Sequence, residues 1–249
     1  MSNAAKTRYS ALDTLRALCL ISMILYHATW DLVYMFGVKA PWYSSSIGFL
    51  WQQSICFGFI LLSGFCFDIG KRKLNRALTV LFCSVVISAV THFIPGAEIR
   101  FGVLCLIGSA MLIMIPLEKL LCHVCAPVGL SVSLSLFAFT KNIDAGYLGV
   151  FSYKLIELPR SLYSSLFSAY LGLPPRTFSS ADYFGLLPWL FLYICGYFIY
   201  RIMKERKALG ILYRLKCPPL ESVGRHSLLL YMAHQPIIYG ILYIFFEII

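Results

Sequence analysis

Charged residues in this chain fall in short runs, and between them lie stretches nearly free of Asp, Glu, Lys and Arg that are long enough to cross a bilayer, which takes about 20 mainly apolar residues. Seven such spans are read, at roughly 14–36, 46–67, 77–95, 101–117, 122–140, 183–200 and 226–246, the first interrupted only by Arg16 near its start and Asp31 near its end. The strand-period alternation of a membrane β-barrel is absent, so the spans are expected to be helices. Residues 141–182 break the pattern, with 42 residues rich in Ser, Tyr, Pro and Gly and a single apolar piece at 161–173. Those 13 residues are too few to cross, and Pro159 and Pro174-Pro175 bracket them as breakers. An interfacial or re-entrant helix is predicted there. The expected fold is therefore an all-α polytopic membrane protein, a single domain over 1–249, with residues 1–7 a flexible N-terminus whose Met1-Ser2-Asn3-Ala4 looks like an expression remnant. No small-residue cleavage site follows the first apolar run, so that run is expected to be retained as a helix.

Composition excludes a soluble domain: 59% of residues are hydrophobic and 13% charged, against about 25% charged in soluble proteins. A formal charge of +10 would point to nucleic acid in a soluble protein. In a membrane protein it reads as loops facing anionic lipid, and no RNA-binding signature accompanies it. With seven spans and a cytoplasmic N-terminus, fifteen Lys and Arg fall on the inner side and six on the outer, namely Lys39, Arg100, Lys141, Lys154, Arg160 and Arg176. That asymmetry obeys the positive-inside rule. Letting 161–173 cross would move the seven basic residues between Arg201 and Arg225 outside. The nine cysteines are odd in number and sit mostly in apolar stretches, so no disulfide framework is expected. Cys122, His123 and Cys125 cluster, but one CxxC without a second pair does not make a zinc site. No metal is expected.

Ionisable groups inside a span cost about 2.5–3.5 kcal/mol on insertion scales, so each demands an explanation. His27 and Asp31 are four residues apart in the first span, on one helix face, as a base and the carboxylate that orients it. A buried pair that only bridges helices is the competing reading. At about 1.5 Å per residue, His27 lies roughly 20 Å from the inner end of its helix. His234 stands in the last span beside Gln235 and Pro236. The proline removes one intrahelical hydrogen bond there, which suits a lined cavity as well as a plain kink. Near the outer helix ends lie Asp31, His92, Glu98, Arg100 and Asp182, where a hydroxyl-rich ligand would find partners. On the inner side, Arg8, Arg16, Arg72, Lys73, Arg76, Arg225 and His226 are candidates to meet an anionic cofactor. No P-loop, GxGxxG, GxSxG or HExxH motif occurs, and the last span has no lysine for a retinal Schiff base.

The order Asp13, Arg16 and, after ten further residues, His27 resembles the integral-membrane acyltransferases, a motif shared by large polysaccharide O-acyltransferases and relatives of heparan-alpha-glucosaminide N-acetyltransferase. Further segments are similar to the second group, in particular its short bacterial members, a type once classed as a domain of unknown function. These are Arg8–Arg16, Phe57–Gly64, Ile99–Leu104, Asp182–Trp189 and, most specific, Gly224-Arg225-His226-Ser227 through Tyr231-Met-Ala-His234-Gln235-Pro236. They run in order from residue 8 to 236. Ala17 stands where the family usually has glycine, and Cys105 where many bacterial relatives carry histidine. The eukaryotic enzyme has asparagine at the place of His27.

The resemblance implies transfer of an acetyl or other acyl group from cytoplasmic acyl-CoA, through the helix bundle, to a sugar or amine acceptor on the far side. It implies catalytic roles for His27, Asp31 and His234. Arg16, Arg225, Asp13 and His226 are placed at the CoA end, and Arg100, Asp182, Trp189 and Gln235 at the acceptor. Membrane lipids are the expected surroundings, the bacterial cytoplasmic membrane the expected location, and a homodimer stays open. Heparan itself is not the expected acceptor. The rival readings are a proton-coupled small-molecule transporter using the intramembrane His and Asp residues, for which the two halves lack the internal similarity of inverted repeats, and a catalytically silent membrane sensor.

Overall fold

The computed structural model of the chain describes residues 9–94, 96–214 and 216–248; residues 1–7, the expected flexible N-terminus, and Arg8 lie outside them. Among the described residues, six helices are long and apolar enough to cross a membrane: α1 (Ser10–Tyr34), α2 (Ser46–Phe65), α3 (Lys73–Thr91), α4 (Val103–Leu121), α7 (Leu186–Glu205) and α9 (Ser227–Tyr243, continued to Glu247 by a π turn). The expected span at 122–140 is α5 (Ala126–Thr140), 15 residues long. It starts late because residues 122–125 form the turn after α4, with Pro127 fixing its first turn. The chain divides into two compact units, residues 1–59 with 206–249, and residues 60–205.

In the first unit, α1 shows the burial pattern of a membrane helix. Leu15, Leu18, Ile21 and Leu25 are exposed on one face, while Asp13, Ala17, Leu20, Met23 and Asp31 are buried on the other. Asp13 in the first turn complements the helix dipole. Leu20, Met23 and Ile55 form a core joined by Ile24, Tyr26, Trp51, Phe59, Val223, Leu230 and Tyr231, and Trp51 Nε1 donates to Ser22 Oγ at 2.8 Å. The α9 helix runs parallel to α1, since contacts climb both chains together: Leu20 and Met23 with Leu230 and Tyr231, then His27 with His234, Asp31 with Gln235, and Phe36 with Tyr239. Before α9 comes the short α8 (Pro218–Arg225), opened by two prolines at positions where helices tolerate them. Gly224 lets α8 close on α1: a side chain there would overlap the backbone carbonyl of Asp13.

In the second unit, α3 packs on α4, and both α4 and α5 pack on α7. The last residues of α2 reach α7 through Gly64, where any Cβ would run into the carbonyl of Tyr193. Between α5 and α7 the sequence predicts irregular chain plus one short helix. The structure has a β-hairpin, β1 (Tyr147–Val150) and β2 (Tyr153–Glu157), antiparallel with a bulge between Leu148 and Gly149. Its two-residue turn, Phe151-Ser152, carries none of the Asn-Gly or Asp-Gly chemistry that announces a hairpin. The piece at 161–173 contains the six-residue α6 (Leu166–Leu171), opened by a reciprocal Ser165–Ser168 capping box and closed by Gly172.

Candidate active site

The inward face of α1 brings His27 and Asp31 against α9. Asp31 is completely buried. Its Oδ1 accepts a hydrogen bond from Gln235 Nε2 at 2.7 Å, and its Oδ2 has no partner. The expected His27–Asp31 hydrogen bond is therefore not formed. Four-residue spacing puts both groups on one side of the helix, but the carboxylate turns across to the amide of the neighbouring helix, a donor of fixed direction. The ring of His27 instead faces His234, with centroids 5.2 Å apart.

His234 is also buried. Its Nδ1 lies 2.5 Å from the carbonyl oxygen of Tyr231. A carbonyl only accepts, so Nδ1 carries the proton and a neutral ring presents Nε2 as a lone pair. Among the described residues, three buried atoms here have no hydrogen-bond partner, namely Asp31 Oδ2, His234 Nε2 and Gln235 Oε1. With Asp31 ionised, all three are acceptors. Buried polar atoms are almost always paired, so this cluster suits a ligand that brings N–H or O–H donors.

Toward the start of α1, Arg16 Nη1 pairs with Asp13 Oδ1 at 2.7 Å. The contact of Gly224 on Asp13 brings the end of α8 to the same turn. Arg225 and His226 are exposed there; Arg225 Nε donates to Glu221 O at 3.2 Å and His226 Nδ1 to Ser222 O at 2.9 Å. All four residues expected to hold CoA thus belong to one end of this unit, with the Arg225 guanidinium facing outward.

Three of the expected acceptor residues belong to the unit 60–205 and hold its architecture. Arg100 pairs with Glu98 at 2.8 Å, and its backbone N–H donates to Ser180 Oγ at 2.9 Å. Glu98 also meets His92, and these two partners hold its carboxyl below the ordinary glutamate range. Asp182 Oδ2 caps α4 through the Val103 N–H at 3.5 Å. Burial pushes its carboxyl up to about 6, against that hydrogen bond. Trp189 lies between Phe137 and Phe184, with Lys141 Nζ 4.1 Å above its ring. Gln235, the fourth, belongs with Asp31.

Sequence reasoning passed over the Tyr231 carbonyl, which sets the tautomer of His234; the three-residue spacing to His234 is its only trace. It also left unpaired what the structure joins, Lys73 with Asp68 and Glu118 at 3.1 and 2.6 Å. Arg76 Nη1, buried and without a hydrogen-bond partner among the described residues, carries no sequence signal beyond the basic run at 71–76.

Comparison with curated proteins gives no match, and neither does comparison with solved structures. Among protein families, the model described as "Heparan-alpha-glucosaminide N-acetyltransferase, catalytic" matches residues 8–236, a stretch holding the Asp13–Arg16–His27 run, α8 and the His234-Gln235 pair. A membrane chain built almost wholly of helices, in which that stretch brings His27 against His234 and Asp31 against Gln235, belongs to the heparan-alpha-glucosaminide N-acetyltransferase catalytic-domain family.

Proposed function

We propose that the protein moves an acetyl or other acyl group from cytoplasmic acyl-CoA to an amine or hydroxyl of a sugar-like acceptor entering from the far side of the membrane. The observation that carries this reading is the trio of buried, unpaired acceptor atoms on Asp31, His234 and Gln235. A primary amine or a cluster of sugar hydroxyls supplies the donors they lack.

In this reading His27 is the base and His234 Nε2 holds a second donor of the acceptor, while Asp31 and Gln235 fix its place. The acceptor nitrogen or oxygen attacks the thioester carbonyl. Its new bond to carbon forms as the carbon–sulfur bond breaks, and the proton it releases passes through His27 to the departing CoA sulfur. Arg16, steadied by Asp13, and the outward Arg225 and His226 take the CoA phosphates.

The parallel course of α1 and α9 supports a topology with an odd number of crossings from one to the other, both included. Six long helices make an even number, so α5 is assigned the seventh. With the N-terminus cytoplasmic, the basic loops then stay inside, and the chain fits a bacterial cytoplasmic membrane.

The test is acyl transfer in proteoliposomes from labelled acetyl-CoA to amino-sugar and sugar acceptors. Labelled product is expected, falling at least about 100-fold in His27→Ala, the usual reach of general-base catalysis. The thermal midpoint should stay put. Acyl-CoA should also raise the midpoint of the detergent-purified protein, less so in Arg225→Ala. Full turnover by His27→Ala would remove the base assignment. An absence of both transfer and stabilisation with every acyl-CoA would overturn the enzyme reading.

A further inference from the structure

The hairpin between α5 and α7 presents apolar side chains where a soluble surface would carry charge. Every residue of β2 is exposed. Phe151 at the tip is 85% exposed and Tyr153 78%, and Leu155, Ile156, Leu166 and Phe167 are exposed as well. The tip is held firmly: the carbonyl of Phe151 accepts from Asn142 Nδ2 at 3.0 Å and from the Tyr147 hydroxyl at 3.4 Å. Phe151 itself sits at φ +53, in the left-handed region that favours glycine. A phenylalanine fixed in that backbone and pointed outward is presented to something.

We infer that the hairpin and α6 form an interfacial anchor, seated in the headgroup–acyl boundary of the bilayer beside α5. Three observations select lipid over a protein partner. First, the register puts Tyr153 and Ile156 on one face of the ribbon with Leu148 and Val150, and Lys154 and Glu157 on the other with Tyr147, the bulge at Leu155 keeping the two sides apart in kind; a ribbon apolar on one side and charged on the other suits the boundary between acyl chains and headgroups. Second, the surface is continuous with α5, whose outward Val128, Val132, Leu134 and Leu136 are all apolar and exposed, and β1 packs directly on α5. Third, Lys154 and Arg160 flank the aromatic groups, and Lys154 Nζ lies 5.3 Å over the Tyr147 ring, the aromatic-and-basic pairing that membrane interfaces favour. The anchor also answers a shortfall of length. At 15 residues, α5 covers about 22 Å of a hydrocarbon core about 30 Å thick, and apolar groups dipping in at its end fill the remainder. The anchor does not depend on acyl transfer.

The experiment places a benzophenone side chain at the tip, Phe151→p-benzoylphenylalanine, and separately at Tyr153, in the full chain in nanodiscs of phosphatidylethanolamine and phosphatidylglycerol. Bleaching of the benzophenone absorption certifies that the probe has reacted, and an unchanged thermal midpoint that the fold is intact. After irradiation, intact mass spectrometry is expected to show a shift of one phospholipid at both positions. Adducts of twice the chain mass would mean that a second copy covers the hairpin, bleaching with no added mass that the tip lies against its own chain, and an unbleached probe that it stands in water; each of these results overturns the anchor.

Discussion

Gln235 Nε2 donates to Asp31 Oδ1 at 2.7 Å, and the other carboxylate oxygen, Asp31 Oδ2, and the amide oxygen, Gln235 Oε1, are buried without a partner. One hydrogen bond thus ties α1 to α9 while leaving two acceptors in reserve. Removing either partner strands the other, which costs about 1–3 kcal/mol for a buried polar group. Asp31→Ala and Gln235→Ala should each lower the thermal midpoint, and the double variant should lose clearly less than the sum. A double-mutant cycle with additive losses would show that the bond stabilises nothing.

The two histidines should separate in kinetics. Replacing His27 removes the proposed base, so His27→Gln should depress kcat by at least about 100-fold. His234→Gln leaves an amide oxygen that can stand in for the Nε2 lone pair, so a raised KM with a smaller fall in kcat is the expected outcome. Steady-state kinetics over a range of acceptor concentrations checks both. Equal kcat losses would mean that the two rings act as one unit.

Gly224 makes a prediction that no charge argument supplies. A methyl group there meets the Asp13 backbone, which cannot rotate away, so Gly224→Ala should cost about 1–3 kcal/mol as an overpacked contact. By levering α8 off the start of α1, it should also weaken acyl-CoA stabilisation while leaving His27 and His234 untouched. Thermal unfolding with and without acetyl-CoA measures the two effects together.

Asp182 sets a pH dependence. Its carboxyl titrates at about 6 in the fold, against an ordinary value of 3.8, so between these values the folded state binds more proton than the unfolded one. Stability from this group is therefore full below about pH 4 and declines as pH rises toward 6. Asp182→Asn should keep the amide–oxygen cap on α4 and flatten that slope. A slope unchanged in the variant would assign it to another group.

The long spans were legible because apolar runs between charges are a strong, local signal, and all six long helices begin within four residues of the expected positions. Ends were less so: Lys73 and Lys204, placed outside the expected spans, lie inside α3 and α7, because long basic side chains extend from a helix end to water. The residues of the candidate site were legible for the same reason that they are costly, since His27, Asp31 and His234 stand out against apolar surroundings. Their pairing was not. Helical spacing gives Asp31 a neighbour on its own helix, but which group across the bundle competes for it is a property of packing, and Gln235 carried no sign of being that group. The roles expected of Arg100, Asp182 and Trp189 met structural occupations, an ion pair, a helix cap and an aromatic stack, that no linear motif distinguishes from ligand contacts.

The parallel pairing of α1 with α9 bears on how the protein is made. Asp31 and Gln235 are 204 positions apart, so during synthesis the first helix waits in the membrane, its buried carboxylate and histidine unsatisfied, until nearly the whole chain has been inserted. A ribosome that stalls anywhere before α9 releases a product with half a site. Such a fragment lacks both His234 and Gln235, and so leaves Asp31 in the membrane without the amide that holds it in the finished fold.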